Sequence, residues 1–136
     1  MSRQLPASLY RDFLRYMPIA CVDIVVVHRG AVLLVRRGDA PARGEWWVAG
    51  GRVWKGETMR ATAARARDEV GLTCCVGPIV HTAETIFPDG PGGVAVHSLN
   101  ACFFLYPANP KVRVKLDRHH GGRNGSERCL RACIRT

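Results

Sequence analysis

The stretch from Gly50 to Leu72, GGRVWKGETMRATAARARDEVGL, constrains this chain more than any other. A glycine pair opens it, Glu57 stands on a Gly-Glu-Thr turn, and a short basic segment closes on Asp68-Glu69-Val70-Gly71-Leu72. A glycine turn lets backbone approach a ligand closely. Clustered carboxylates are the ligands Mg2+ or Mn2+ takes, with phosphate oxygens completing the shell. Arginines on the same segment can pair with those phosphates. Metal-assisted cleavage of a phosphorylated substrate is the simplest chemistry that uses all three features.

Met59, Ala63, Ala66 and Val70 recur on one face at helical spacing, which predicts a helix from about Thr58 to Val70 with Gly71 as its left-handed stop. Glu69 then lies one turn beyond Arg65 and pairs with it. An acid in the last turn opposes the helix dipole, and a bound cation would offset that placement. Asp68 reads either as a metal ligand or as a solvated acid paired with Arg65. Glu57 reads either as a metal ligand or as a cap on the helix N-terminus.

These residues resemble the signature of the Nudix hydrolases: Gly, five residues, Glu, seven residues, then Arg-Glu-apolar-any-Glu-Glu-any-Gly-apolar. Forward from Gly51 the match runs through Glu57 to Arg65; backward from Leu72 it runs through Gly71, Glu69, Asp68 and Ala66. The segment is one residue short, and the apolar face places the missing residue near Thr58 to Thr62. Pro18 to Asp23, Arg36-Arg37 and Pro41 to Val48 are similar to the GDP-mannose mannosyl hydrolase branch of that family. Similarity is good from Met17 to Leu72, patchy to His120 and nearly absent in the tail, 121–136.

The resemblance implies a Mg2+-dependent hydrolase acting on a nucleoside diphosphate-linked small molecule. It implies that Gly50 offers its carbonyl and Glu69 its carboxylate to the metal, with Asp68 and Glu57 as further ligands. Arg37 and Arg52 would neutralise the diphosphate leaving group, Asp23 would lie near the sugar, and Arg65 would stand beside the substrate, chiefly as partner of Glu69. In Asp117-Arg118-His119-His120, His120 matches the branch's general base and His119 replaces a glutamine ligand. Imidazole is a poorer Mg2+ ligand than oxygen, so either the metal binds without His119 or Mn2+ is tolerated better there.

The remaining elements follow from pattern. A short amphipathic helix covers Ser8 to Tyr16, within an N-terminal extension of residues 1–17, and would lie over a sheet edge or contribute to a homodimer. Strands are expected over Ile19–Val27, Ala31–Arg37, Trp46–Val48, Cys74–Ile86, Ala95–Tyr106 and Lys111–Leu116, with a terminal helix over Cys129–Ile134. The loop Phe87 to Gly93 suits a substrate lid. Asp23 is the odd residue of the first strand, because an acid among apolar neighbours is costly to bury without partners. His97, mid-strand, reads as structural, and the Trp46-Trp47 pair as one core ring and one stacking ring. Strands, a helix, then strands suit a single α/β domain, and the resemblance specifies the Nudix-type α/β/α sandwich with a mixed β-sheet.

Composition narrows the class. A net charge of +9 attracts anionic substrates, but the basic residues are scattered without aromatic interleaving, so nucleic acid is not the expected partner. Six cysteines without a Cys-x-x-Cys pair suit free thiols in a cytoplasmic protein. A zinc site from Cys129, Cys133, His119 and His120 lacks the usual spacing. No apolar run approaches the roughly 20 residues a membrane span needs, and the first twenty residues do not read as a signal peptide. Three functions stay open: an NDP-sugar hydrolase, resembling GDP-mannose hydrolysis, that releases NDP and sugar; a pyrophosphohydrolase cutting the diphosphate with Glu57 as base; and a nucleotide-binding domain without turnover.

Overall fold

The β-branched run after Pro18 becomes the strand on which the molecule is built. The computed structural model describes residues 5–28, 31–39 and 41–107. Strand β1 (Ile19–His28) runs parallel to β7 (Val96–Pro107), in register from Ile19 opposite Ser98 to Val26 opposite Leu105. On its other side β1 pairs antiparallel with β5 (Ala49–Arg52) and, at its end, with β2 (Ala31–Val32). Strand β6 (Cys74–Phe87) pairs antiparallel with β7. The sheet is therefore mixed, as expected. The strand expected over Ala31–Arg37 is instead divided, and its second part, β3 (Val35–Arg36), forms a separate ribbon with β4 (Trp46–Trp47).

Alternation along β1 separates two faces. Val22, Ile24 and Val26 are buried with Ala101, Phe103 and Leu105 of β7, and with Ala49 of β5. Helix α2 (Met59–Glu69) covers this face with Ala63 and Ala66, whose small side chains let it sit close to the sheet, and Val70 and Leu72 close the core beyond it. Cys21 and Asp23 point the other way, with Ser98 and Asn100 beside them on β7. Helix α1 (Ala7–Tyr16) reaches that second face through Tyr10, whose ring lies 4.8 Å from the Arg52 guanidinium. Helices thus lie on both faces, giving the α/β sandwich. Among the described residues no helix is long and apolar enough to cross a membrane.

Thr58 caps α2 in the ordinary way, accepting from the Ala61 amide at 3.1 Å, and the Thr62 amide bonds the Thr58 carbonyl at 2.9 Å. The first turn is regular. The helix stops at Glu69, and Gly71 turns the chain with φ +66°. Met59, expected on the core face, is exposed, and Thr62 is buried in its stead. Thr62 is tolerated there because its hydroxyl donates to Glu57 Oε2 at 2.8 Å. The expected strand at Lys111–Leu116, His119, His120, the tail and the Cys129–Ile134 helix lie outside the described residues.

Gly50 pairs with Asp23 across β5 and β1 so closely that a Cβ there would sit 2.3 Å from the Val22 carbonyl oxygen and 2.7 Å from Asp23 Oδ1. The first of these is backbone and cannot swing aside. Gly50→Ala is expected to destabilise the fold by about 1–3 kcal/mol, the usual cost of overpacking. A urea midpoint equal to wild type would refute this account of the glycine.

Candidate active site

A cleft of about 540 Å³ opens on the second face of the sheet and reaches the C-terminal end of α2. Five of the residues singled out in the sequence converge on it: Asp23 from β1, Arg37 after β3, Gly50 and Arg52 from β5, and Glu69 from the last turn of α2. Arg37 is anchored by its Nε donating to the Pro41 carbonyl at 2.6 Å, and its main chain bonds Gly44 and Glu45 across the loop between β3 and β4. Trp47 and Phe87 meet at 5.4 Å between ring centres along the cleft wall. Neither tryptophan of the Trp46-Trp47 pair joins the core. Phe87 is the last residue of β6 rather than part of a free lid, although Pro91 of the following turn also lines the cleft.

Arg65, Glu57 and Asp68 do not line the cleft. Arg65 is instead a hub behind it. Its Nε and Nη2 donate to Glu57 Oε1 and Oε2 at 3.0 and 3.1 Å, a two-point grip on the carboxylate. Its Nη1 donates to Glu69 Oε1 at 3.1 Å, and its Nη2 also donates to the Arg52 carbonyl at 2.8 Å. The guanidinium stacks on the Trp54 ring at 3.8 Å. Glu57 Oε2 also accepts from the Trp54 amide and the Thr62 hydroxyl, whereas Oε1 accepts from Arg65 alone. Asp68 turns outward and pairs with Arg67 at 2.9 Å, not with Arg65.

On the sheet face, Asp23 is not a solvated outward acid. Asn100 Nδ2 donates to its Oδ2 at 2.9 Å, and Ser98 Oγ donates to Asn100 Oδ1 at 2.8 Å. Burial pushes the Asp23 carboxyl up from its ordinary value, against the pull of the Asn100 bond and of Arg37. Burial likewise raises the neighbouring Cys21 thiol to about 11. Sequence reasoning missed Ser98, Asn100, Cys21 and Tyr10 as cleft residues. The two polar positions of β7 sit on one face of an apolar strand, and that alternation was the available signal. His97 pairs with Glu84 at 2.5 Å on the strand surface, consistent with a structural part.

The model of the NUDIX domain matches residues 17–123 of this sequence. The chain belongs to the NUDIX family. Among curated proteins, it is 41% identical over 92 residues to the low-salt glycan biosynthesis protein Agl8 of Haloferax volcanii. That match covers 64% of this chain and 59% of the relative. Its fold is similar to a MutT protein from Methanosarcina mazei Go1, with TM-score 0.63, 24% identity, and coverage of 77% of this chain and 74% of that one. It is also similar to a MutT NUDIX hydrolase from Burkholderia pseudomallei, with TM-score 0.62, 21% identity, and coverage of 78% and 80%. Helix α1 ends before the matched NUDIX span begins, yet its Tyr10 lines the cleft.

As a NUDIX site, the cleft fits a divalent cation through few protein donors. Glu69 faces the cleft with only its Oε1 engaged by Arg65, and Gly50 lines the same space. A hard cation accepts such a carboxylate and carbonyl, with water and phosphate oxygens filling the other positions. Among the described residues no group of three His, Cys, Asp or Glu side chains stands together for a metal. The Arg65 guanidinium, aided by the Trp54 amide and Thr62 hydroxyl against the cost of burial, holds the Glu57 carboxyl down at about 2. A folded-state value below the unfolded one stabilises the protein above the unfolded value, and that contribution fades as pH falls towards the folded value. Glu57→Gln is therefore expected to cost about 2 kcal/mol at pH 7, the scale of bonds to a charged group. The gap from wild type should narrow from the ordinary value of 4.5 down to about 2. Paired denaturant titrations across that range test it; a gap independent of pH would remove the ion pair from the account.

Proposed function

We propose that the protein is a divalent-metal-dependent hydrolase of nucleoside diphosphate derivatives, and that its substrate is an NDP-sugar of the GDP-mannose kind, released as NDP and free sugar. The observation that carries this reading is the presence, in one cleft, of two arginines with a half-buried acid on the sheet: Arg37 and Arg52 with Asp23. Guanidinium groups suit a diphosphate. A half-buried carboxylate suits a hydroxyl-rich group that donates to it. The glycan-biosynthesis name of the Haloferax volcanii relative is in keeping with a sugar-bearing substrate.

In this mechanism Glu69 and the Gly50 carbonyl would hold Mg2+, which would supply charge neutralisation to the diphosphate when bound. Arg37 and Arg52 bind the same diphosphate and stabilise its charge as it leaves. Asp23 orients the sugar. Water attacks the anomeric carbon, the bond from that carbon to the diphosphate oxygen breaks, and the water's proton passes to a base. The family resemblance gives the base to His120, which lies outside the described residues. Cleavage at phosphorus with Glu57 as base is disfavoured, because a carboxyl held at about 2 and gripped by Arg65 takes up a proton poorly. The free thiols of Cys21, Cys74, Cys75 and Cys102 suit a cytoplasmic setting. Leu9, Phe13 and Tyr16 leave α1 with an exposed apolar row that a second copy could cover.

The decisive experiment is product analysis with GDP-mannose and Mg2+, beside Glu69→Gln. GDP and mannose are expected from wild type, with the rate lowered at least 100-fold in the variant, on the order of losing a key electrostatic group. GMP and mannose phosphate would transfer the attack to phosphorus. Tight binding without turnover, unchanged by Mg2+ or Mn2+ across several NDP-sugars, would leave a binding domain.

A further inference from the structure

Asp23 projects from the second face of β1, between Cys21 and Val25. In the parallel pairing of β1 with β7, Asp23 stands opposite Cys102 and Cys21 opposite Asn100. Asn100 is thus one step back along the neighbouring strand, and its side chain reaches Asp23 on the diagonal. Ser98 stands a further step back on the same face. All three line the cleft, and Ser98 and Asn100 are themselves buried.

The hydrogen bonds have a fixed direction. A carboxylate only accepts, so the Asn100 amide must present its NH2 to Asp23. Its carbonyl oxygen then faces Ser98, whose hydroxyl can only donate. Turning the amide over would set its oxygen against the carboxylate and leave the Ser98 hydroxyl to accept. The carboxylate thus selects the amide orientation that grips Asp23 Oδ2 at 2.9 Å, and the Ser98 hydroxyl tethers the other end of that amide against displacement. Oδ1 is left on the Gly50 side of the cleft. A carboxylate so held presents an acceptor at a set place and is restrained from turning towards Arg37.

We propose that Ser98 and Asn100 act as positioning residues, a two-step relay that fixes the Asp23 carboxylate so that the cleft prefers a ligand group able to donate a hydrogen bond, a hydroxyl. This rests on the reading of the substrate as an NDP-sugar. Neither residue touches the reacting atoms; both act through Asp23.

The test is a double-mutant cycle on binding. Dissociation constants are measured by calorimetry, with Ca2+ in place of Mg2+, for GDP-mannose, ADP-glucose and UDP-glucose, each beside its nucleoside diphosphate. The ratio within a pair isolates the sugar. Wild type is expected to prefer at least one NDP-sugar over its NDP by about tenfold, the scale of one hydrogen bond to a charged group. Asp23→Asn and Asn100→Ala should each abolish that preference, and the double variant should lose no more than Asp23→Asn alone. Ser98→Ala should weaken the preference several-fold, and Ser98→Thr should restore it. If Asn100→Ala fails to fold, the Ser98 pair carries the comparison, again alone and on Asp23→Asn. Losses that multiply in the double variant, an unchanged preference in Asn100→Ala or Ser98→Ala, or no sugar preference in wild type would overturn the relay. Preference and coupling present, with no hydrolysis in Mg2+, would instead retire the proposed reaction and leave the relay standing.

Discussion

The Arg65 guanidinium joins parts of the molecule that would otherwise drift independently. It grips Glu57 on the turn before α2, Glu69 at the end of α2, and the Arg52 carbonyl on β5. Its flat face rests on Trp54. Turn, helix and strand are thereby fixed to one another by a single planar group, which lysine could not reproduce with one point charge. Because β5 also carries Gly50 and Arg52 into the cleft, the guanidinium sets the spacing between the acid at the helix end and the strand it faces. It also offsets the unfavourable position of Glu69 against the helix dipole.

This arrangement divides the acids of the chain by task. On the α2 side, Glu57 is held ionised inside a web of donors and serves the architecture. On the sheet side, Asp23 is raised by burial and held by an amide, and it faces open space. Asp68, adjacent to Glu69 in sequence, takes neither task, since a step of one residue on a helix turns a side chain by about 100° and Arg67 holds it at the surface. Glu57 and Asp68, which read alike in the signature, thus differ in what they can do.

Much of this was legible because it is local. The β-branched strand β1, the extent of α2 and the stop at Gly71 each follow from short-range pattern and appear where expected. Other features depend on partners far along the chain. Asn100 meets Asp23 across 77 residues, and no period in the sequence announces such a contact. Thr62 is buried and Met59 exposed because Glu57 offers the hydroxyl a partner, which an apolar count ignores. The break between β2 and β3 reflects which neighbour each half finds, β1 or β4, rather than any change in composition.

The charges lining the cleft bear on how a ligand would enter it. Among the described lining residues, Arg37 and Arg52 stand against Asp23, Asp39 and Glu69. A diphosphate arriving alone would bring its charge beside those acids. A divalent cation arriving alone would meet a short donor set, with Glu69 engaged by Arg65 through Oε1 and Asp23 engaged by Asn100 through Oδ2. Together, cation and diphosphate offset each other and fill each other's vacant positions. On the proposed reading their binding is therefore linked, each raising the affinity of the other by the same factor. A short set of protein donors is compatible with that linkage, because the phosphate oxygens supply coordination that a longer row of acids would otherwise provide.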